Sequence, residues 1–311
     1  MRRHIISVSG GKDSTATLLV AIERGIEFDA VFADTGHEHQ DVYDYLDYLE
    51  DRLDITIKRI RARFAAKMAG KREFIVKQWA KDGVSQERID RALELLVPTG
   101  NPMLDLCLWK GRMPSTKARF CTQELKVIPI TTQVLIPALR KYGKVWSWQG
   151  VRADESRARA KLPWIDREGD LPGIYNYRPI LSWTAEEVFA KHAEHNVLPN
   201  PLYKKGMGRV GCLPCVNCRK SELKEIAKRF PEEIERVAHW EYLVSQCAKR
   251  GSTTWFPSVT HSREDRDISY QTHGIDKAVE WSKTLYGGRQ YDLLEDTDDL
   301  PSCSSMYGLC E

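Results

Sequence analysis

The sequence predicts an α/β fold: a parallel sheet with helices on both faces, followed by a cysteine-rich, mainly helical C-terminal region. Three observations predict it. Short apolar runs bounded by glycine alternate with amphipathic stretches along the first part of the chain. The first of these runs enters a tight polar turn, SGGKDS (9–14), with helical apolar spacing behind it. Five of the eight cysteines fall in two clusters beyond residue 200, Cys212, Cys215 and Cys218 and then Cys303 and Cys310, where aromatic helices and a polar tail take over.

Each element follows in order. HIISVSG (4–10) reads as the first strand and Ser14 to Arg24 as its helix. FDAVFADTG (28–36) is a second apolar run ending in Asp34, VYDYLDYLEDRLD (42–54) has helical spacing, and ITIKRIRA (55–62) alternates as a strand does. Strand, helix, strand, helix, strand in this order implies a Rossmann-like parallel sheet. Ligands on such sheets sit at the carboxyl ends of the strands, where both SGGKDS and Asp34 fall. Residues 63 to about 115 read as a charged helical insertion beside that face. KVIPITTQVLIPALRKYG (126–143) predicts a helix, KVWSWQG (144–150) a strand, and VRADESRAR (151–159) the loop after it. YNYRPILSWTAEEVFAKHAEH (175–195) supplies a strand edge and a helix with Thr184 as N-cap and Glu187 at the capping-box position. The division expected is 1–199 as a nucleotide-binding α/β domain and 200–311 as the cysteine-rich region.

The 311 residues suffice for one large or two modest domains, and 29% charged with 42% hydrophobic is ordinary globular composition. No apolar run reaches the length of a membrane span, and MRRHIISVSG reads better as a first strand than as a signal peptide, so a cytoplasmic protein is expected. The net charge of +3 is too small to argue for nucleic acid by itself. KRIRARFAAKMAGKR (58–72) is nevertheless strongly basic and DVYDYLDYLEDRLD (41–54) acidic. Both fit solvated helix faces. The sharper reading of the basic run is a phosphate-rich partner.

The glycine turn has a physical use at each position. Gly10 and Gly11 let the backbone approach an oxyanion and take positive φ. Ser9 and Ser14 offer hydroxyls, Lys12 a point charge, and Asp13 either a ligand for magnesium or a brace for the turn. In the later loop, Gly150 ends a strand and Arg152, Arg157 and Arg159 follow, residues able to clamp phosphate with paired hydrogen bonds. Glu155 is expected to orient an arginine. Asp34 either bonds a ribose or adenine, coordinates magnesium, or caps its own turn. His37 and His39 read as loop histidines.

GCLPCVNC (211–218) contains C-x2-C-x2-C, a half-site for zinc or an iron–sulfur cluster. Cys212 and Cys215 are the expected ligands, with Cys303 and Cys310 completing the set and Cys218 a spare. Cys121 is a rival ligand, or a sulfur-carrying nucleophile with its pKa lowered by Arg119 or Lys126. Cys107 and Cys247 read as core. Trp255, Phe256, Trp281, Tyr286 and Tyr291 interleave with Arg and Lys. They suit ordinary amphipathic packing or, in the sharper reading, nucleobase stacking.

SGGKDS resembles the signature of the ATP pyrophosphatases, or PP-loop enzymes. ADTGHE (33–38), RFCTQELKVIPI (119–130), WQGVRADESRAR (148–159), YRPILSWTAEEV (177–188) and NPLYKKGMGRVGCLPC (200–215) resemble blocks of one branch, the phosphoadenosine phosphosulfate reductase-like family. The resemblance spans residues 5 to about 220. It implies ATP with Mg2+, release of pyrophosphate and an adenylylated acceptor, with Lys12, Asp13, Arg152 and Cys121 catalytic. Ser9, Gly10, Gly11, Ser14, Asp34, Gly150, Glu155 and Arg159 would hold the nucleotide. It also implies a 4Fe-4S cluster or zinc, an unidentified sulfur donor and, as open options, a nucleic-acid partner and a homo-oligomer. Sulfonucleotide reductases of this branch have a degenerate first turn, an adjacent cysteine pair and an ECGLH-like tail. Here the turn is intact, Cys121 is followed by Thr122, and the tail reads SSMYGLCE. The intact turn with clustered cysteines is closer in kind to the DNA phosphorothioation ATPases.

Overall fold

The computed structural model describes residues 2–169, 171–256, 268–284, 307 and 309. Cys303, Cys310, Tyr286 and Tyr291 lie outside the described residues. In chain order the first elements are β1 (Arg2–Ser7), α1 (Lys12–Glu23), β2 (Phe28–Asp34), α2 (Gln40–Leu53) and β3 (Ile57–Arg61). Next come α3 (Ala65–Gln78), α4 (Gln86–Leu95), α5 (Pro102–Lys110) and α6, a continuous helical run over 120–142. Then follow β4 (Lys144–Trp148), β5 (Ile165–Arg167), β6 (Ile174–Tyr177) and α7 (Ala185–Glu194). The C-terminal helices are α8 (Lys220–Arg229), α9 (Pro231–Gln246), α10 (Tyr270–His273) and α11 (Ile275–Ser282). The chain forms two compact units: residues 1–62, 124–203 and 209–212, and residues 63–123, 204–208 and 213–311.

The first unit is a six-stranded sheet in the order β3-β2-β1-β4-β6-β5. All its pairings are parallel except β5 with β6, which is antiparallel. Strand side chains alternate between faces. Ile5, Val31, Ile60 and Val145 bury one face against Val134 and Leu135 of α6. Ile6, wholly buried, points to the other face, and α1 packs on β1 and on α7. Each such buried side chain contributes about 2 kcal/mol. Pro129 and Pro137 interrupt α6, each removing one backbone donor, and π-type stretches run over Gln123–Val127 and Thr131–Leu135. The capping box of α7 forms: Thr184 Oγ1 accepts from Glu187 N at 3.2 Å, and Glu187 Oε2 from Thr184 N at 2.6 Å.

The second unit is helical. α4 and α5 pack against α9, α3 against α4 and α5, and α8 against α9 and α11. Residues 63–123 thus share a unit with the C-terminal helices. Cys107 and Cys247 are fully buried here; Trp255 is almost so and Phe256 is largely buried, and both rings serve packing. Among the described residues no helix is long and apolar enough to cross a membrane.

Candidate functional site

The SGGKDS turn leaves the carboxyl end of β1 and enters α1. Gly10 has φ +72°, and a Cβ there would meet Val42 Cγ1 at 3.0 Å, so both conformation and space require glycine. Gly11 is the N-cap of α1 and, lacking a side chain, supplies no cap of its own, which leaves the helix dipole directed at the turn. Ser14 organises the turn: its Oγ donates to Gly11 O at 2.9 Å, accepts from Ser9 N at 3.0 Å, and lies 3.0 Å from Ser9 Oγ.

Lys12 is 3% exposed, its Nζ 3.2 Å from Asp13 Oδ2 and 5.4 Å from the Tyr203 ring centroid. Three residues that sequence reasoning did not single out hold this turn in place. Tyr203 Oη accepts from Lys12 N at 2.8 Å. Asn200 Nδ2 donates to Gly10 O at 3.3 Å and to Asp41 O at 3.2 Å. His192 Nε2 lies 2.9 Å from Lys12 O, and since a carbonyl only accepts, the proton sits on Nε2. Burial pushes the His192 pKa down, keeping the ring neutral. The NPLY block and the α7 sequence contain these residues, but only long-range contact shows what they do.

The second loop meets the first through backbone. A Cβ on Gly150 would lie 2.8 Å from the carbonyl carbon and oxygen of Asp13 and from Ser14 N. Arg152, 4% exposed, donates from Nε to Asp13 Oδ1 at 2.5 Å, and from Nη1 to Asp154 Oδ2 at 2.5 Å and Trp183 O at 3.3 Å. Burial disfavours its charge, but the carboxylates of Asp13 and Asp154 outweigh that and raise its pKa. Glu155 forms an ion pair with Arg159. Asp13 is thus a carboxylate bracketed by two cations at the mouth of an anion-receptive turn.

Asp34 ends β2 with both oxygens engaged by protein. Oδ1 accepts from Gly36 N and Tyr43 Oη at 2.8 Å each, and Oδ2 from Arg61 Nε at 2.6 Å. Burial, with Glu38 and Asp34 nearby, pushes the Tyr43 pKa up, so its hydroxyl stays a donor. Glu38, 5% exposed, accepts from Thr35 N at 3.1 Å, Thr35 Oγ1 at 2.8 Å and His37 N at 3.3 Å. His39 caps α2, its Nδ1 accepting from Asp41 N at 3.1 Å. Cys212 joins this cluster, its Sγ 3.7 Å from Glu38 Oε1 and 3.5 Å from Thr35 Oγ1.

The remaining cysteines belong to the second unit. Cys215 Sγ accepts from Asn217 N at 3.5 Å, the kind of N–H···S contact that surrounds ligating thiolates. Burial pushes the Cys218 thiol pKa up. Cys121 is half-buried in the first turn of α6. Among the described residues, the ligating atoms of Glu23, Glu194 and His195 come within 4.8 Å of one another, but Lys191 Nζ already bonds both carboxylates, at 3.2 and 2.7 Å.

A mostly parallel sheet with a helix N-terminus, a left-handed glycine and a buried lysine at its carboxyl edge defines an α/β protein whose first turn has the chemistry to receive an anion. The family model described as the phosphoadenosine phosphosulfate reductase domain matches residues 3–218, and the chain belongs to this family. It is 51% identical to an uncharacterised 37.8 kDa protein of the gpa 5′ region of Escherichia phage 186, over 99% of this chain and 96% of that one. It is 25% identical to the phosphoadenosine 5′-phosphosulfate reductase of Buchnera aphidicola, over 67% of this chain and 68% of the relative. The crystal structure of the Candida auris phosphoadenylyl-sulfate reductase, a phosphate complex, aligns at 20% identity and TM-score 0.42, covering 68% of this chain and 81% of that one.

Proposed function

We propose that this protein is an ATP-dependent adenylylating enzyme serving sulfur transfer or nucleic-acid modification. The observation that carries the reading is the bracketed carboxylate: Lys12 and Arg152 converge on Asp13 beside the N-terminus of α1. The triphosphate would lie along Gly10 and Gly11, its oxygens accepting from the α1 amides and from Lys12. An acceptor oxygen, nitrogen or sulfur attacks the α-phosphorus, forming one bond as the α–β bridging bond breaks. Pyrophosphate leaves and the acceptor's proton passes to solvent. Lys12 and Arg152 stabilise charge that grows on the phosphate oxygens in this step, where preorganised donors act most strongly. The close approach of Gly150 to the Asp13 and Ser14 backbone holds the second loop beside the glycine turn.

Asp13 suits magnesium, a hard ion that binds through one or two carboxylates together with substrate phosphates. Bound there, the ion would offset phosphate charge. The donor chemistry of Cys212 and Cys215, with Cys303 and Cys310, suits an iron–sulfur cluster or zinc. That group would secure the C-terminal segment or handle sulfur.

The test is incubation of the purified chain with Mg-ATP and candidate acceptors, following pyrophosphate. Release of pyrophosphate, lost in Lys12→Ala, is expected. A second reading, reduction of a sulfonucleotide to sulfite, is favoured by the relatives named as reductases. Sulfite release without pyrophosphate would select it. A third, a non-catalytic nucleotide-binding module of a larger complex, predicts ATP binding with neither product.

A further inference from the structure

One contact at the glycine turn opposes the chemistry proposed for it. Lys12 is the first residue of α1, and a phosphate seated on the turn draws on both its amide and its ammonium. A single residue already engages both. Tyr203 Oη accepts from Lys12 N at 2.8 Å, and the Tyr203 ring centroid lies 5.4 Å from Lys12 Nζ, within the range of a cation–π attraction. The tyrosine is 1% exposed, and a Cβ built on Gly11 would lie 3.4 Å from its hydroxyl oxygen. The hydroxyl therefore lies against the turn itself.

Local structure delivers the tyrosine to this place. A short 3-10 turn spans Pro201–Tyr203, with Tyr203 N donating to Asn200 O at 3.1 Å and Leu202 N to Asn200 Oδ1 at 2.9 Å. Phe189 of α7 meets the Tyr203 ring edge to face, the centroids 5.7 Å apart. Ser9 N is also bonded by a hydroxyl, but of another kind. Its acceptor, Ser14 Oγ at 3.0 Å, belongs to the turn and moves with it. Tyr203 comes from a separate element, 191 residues from Lys12 in sequence. Its bond can open while the turn keeps its shape.

We infer that the Tyr203 hydroxyl is a latch on the phosphate turn, a surrogate acceptor that a nucleotide phosphate must displace from Lys12 N. The inference rests on the ATP reading and adds to that site a residue that sets its affinity. One amide proton serves one acceptor well. A phosphate oxygen is charged and bonds an amide roughly twice as strongly as a neutral hydroxyl does, so phosphate wins the exchange. Withdrawal of the phenol by about 1 Å carries it past bonding range. Each ligand then gains only by as much as it outcompetes the phenol, which disfavours weak acceptors at this amide.

The test compares the full wild-type chain with Tyr203→Phe, which keeps the ring beside Lys12 and Phe189 and removes only the hydroxyl. Circular dichroism checks the fold. Calorimetric titration measures Mg-ATP and inorganic pyrophosphate, and hydrogen exchange read by mass spectrometry follows the peptide that contains the turn. The variant is expected to bind both ligands about fivefold more tightly, the worth of one neutral hydrogen bond. Without ligand its turn exchanges faster than that of the wild type, and with Mg-ATP bound the two are equally protected. A hydroxyl that merely braces the turn gives the opposite sign, weaker binding by Tyr203→Phe. That result, or unchanged affinity, overturns the latch and leaves the ATP reading in place. A gain for Mg-ATP without one for pyrophosphate also overturns it, since the competition is for phosphate. If neither protein binds Mg-ATP or pyrophosphate, the ATP reading fails and the latch falls with it.

Discussion

Arg152 and Asp13, 139 residues apart in sequence, meet as an ion pair with Nε 2.5 Å from Oδ1. The guanidinium is 4% exposed and the carboxylate side chain 14%. The pair joins the loop after β4 to the first turn of α1, so the phosphate turn and the arginine loop form one object. Lys12 on the other side of Asp13 completes a line of alternating charge. In the proposed reaction a phosphate would compete with Asp13 for both cations, and a magnesium ion for Asp13 itself.

Removing the guanidinium leaves Asp13 with Lys12 alone. Arg152→Met is expected to lower unfolding free energy by about 3 kcal/mol, the low end for breaking a buried pair, because Lys12 remains. ATP affinity should fall at least tenfold. Arg152→Lys should recover part of the stability and less of the affinity, since it restores charge without the two-pronged donor. Urea denaturation and calorimetric titration with Mg-ATP measure both. Lost stability with unchanged affinity would make the pair purely structural.

Gly150→Ala tests the backbone contact. The new Cβ would sit 2.8 Å from Asp13 and Ser14 backbone atoms, which cannot swing aside as a side-chain end can. A cost of about 1–3 kcal/mol is expected, with displacement of the second loop and loss of ATP binding. Gly25→Ala is the control, at φ +59° with nothing within 4 Å of its Cβ. It should cost about 1 kcal/mol through backbone conformation and leave ATP affinity intact.

Local signals carried much of this architecture. The HIISVSG run, the two glycines and the apolar spacing of TLLVAI made β1, the turn and α1 legible, because strand, turn and helix each depend on near neighbours. Thr184 and Glu187 were legible for the same reason. What escaped was long-range. Ile165–Arg167 forms an antiparallel edge strand of three residues, too short to show a period. Asp34 could be read as a nucleotide or magnesium contact or as a cap of its own turn; the structure shows the turn bond to Gly36 N, and Tyr43 and Arg61, distant in sequence, bonded to it as well. His192, Asn200 and Tyr203 look like ordinary helix and loop residues, and only tertiary contact gives them the turn to support. The packing of 63–123 with α9 likewise has no local marker.

Glu241 sets a pH dependence in the second unit. It is 1% exposed and accepts from Trp255 N at 2.5 Å and Ile275 N at 2.8 Å. Burial pushes its pKa up from 4.5 to about 7, against the pull of those two amides. The folded chain therefore keeps a proton between pH 4.5 and 7 that the unfolded chain has released. The resulting stability is full below pH 4.5 and is lost as pH rises through 7. Relative to Glu241→Gln, the wild type should lose up to about 3 kcal/mol across this window in urea denaturation. His192 acts in the opposite sense: burial lowers its pKa, so its contribution fades as pH falls below its ordinary 6.5. Comparing each variant with wild type separates the two. A Glu241→Gln difference that is flat with pH would show the carboxyl ionises alike in both states.

The cysteine cluster gives the last expectation. Cys212 lies beside Glu38 and Thr35, and Cys215 accepts from the Asn217 amide. A thiolate gathers N–H donors when it ligates a metal, and a C-x2-C turn presents two sulfurs together. Protein purified without oxygen should therefore carry bound metal, absorbing near about 400 nm for iron–sulfur or colourless for zinc. Cys212→Ala and Cys215→Ala should each remove most of it, because losing one of four ligands opens the site. Cys107→Ala should retain it, since Cys107 is wholly buried and burial drives its thiol pKa up. Elemental analysis beside the optical spectrum reads the result. Metal content unchanged in both Cys212→Ala and Cys215→Ala would remove these residues from the ligand set.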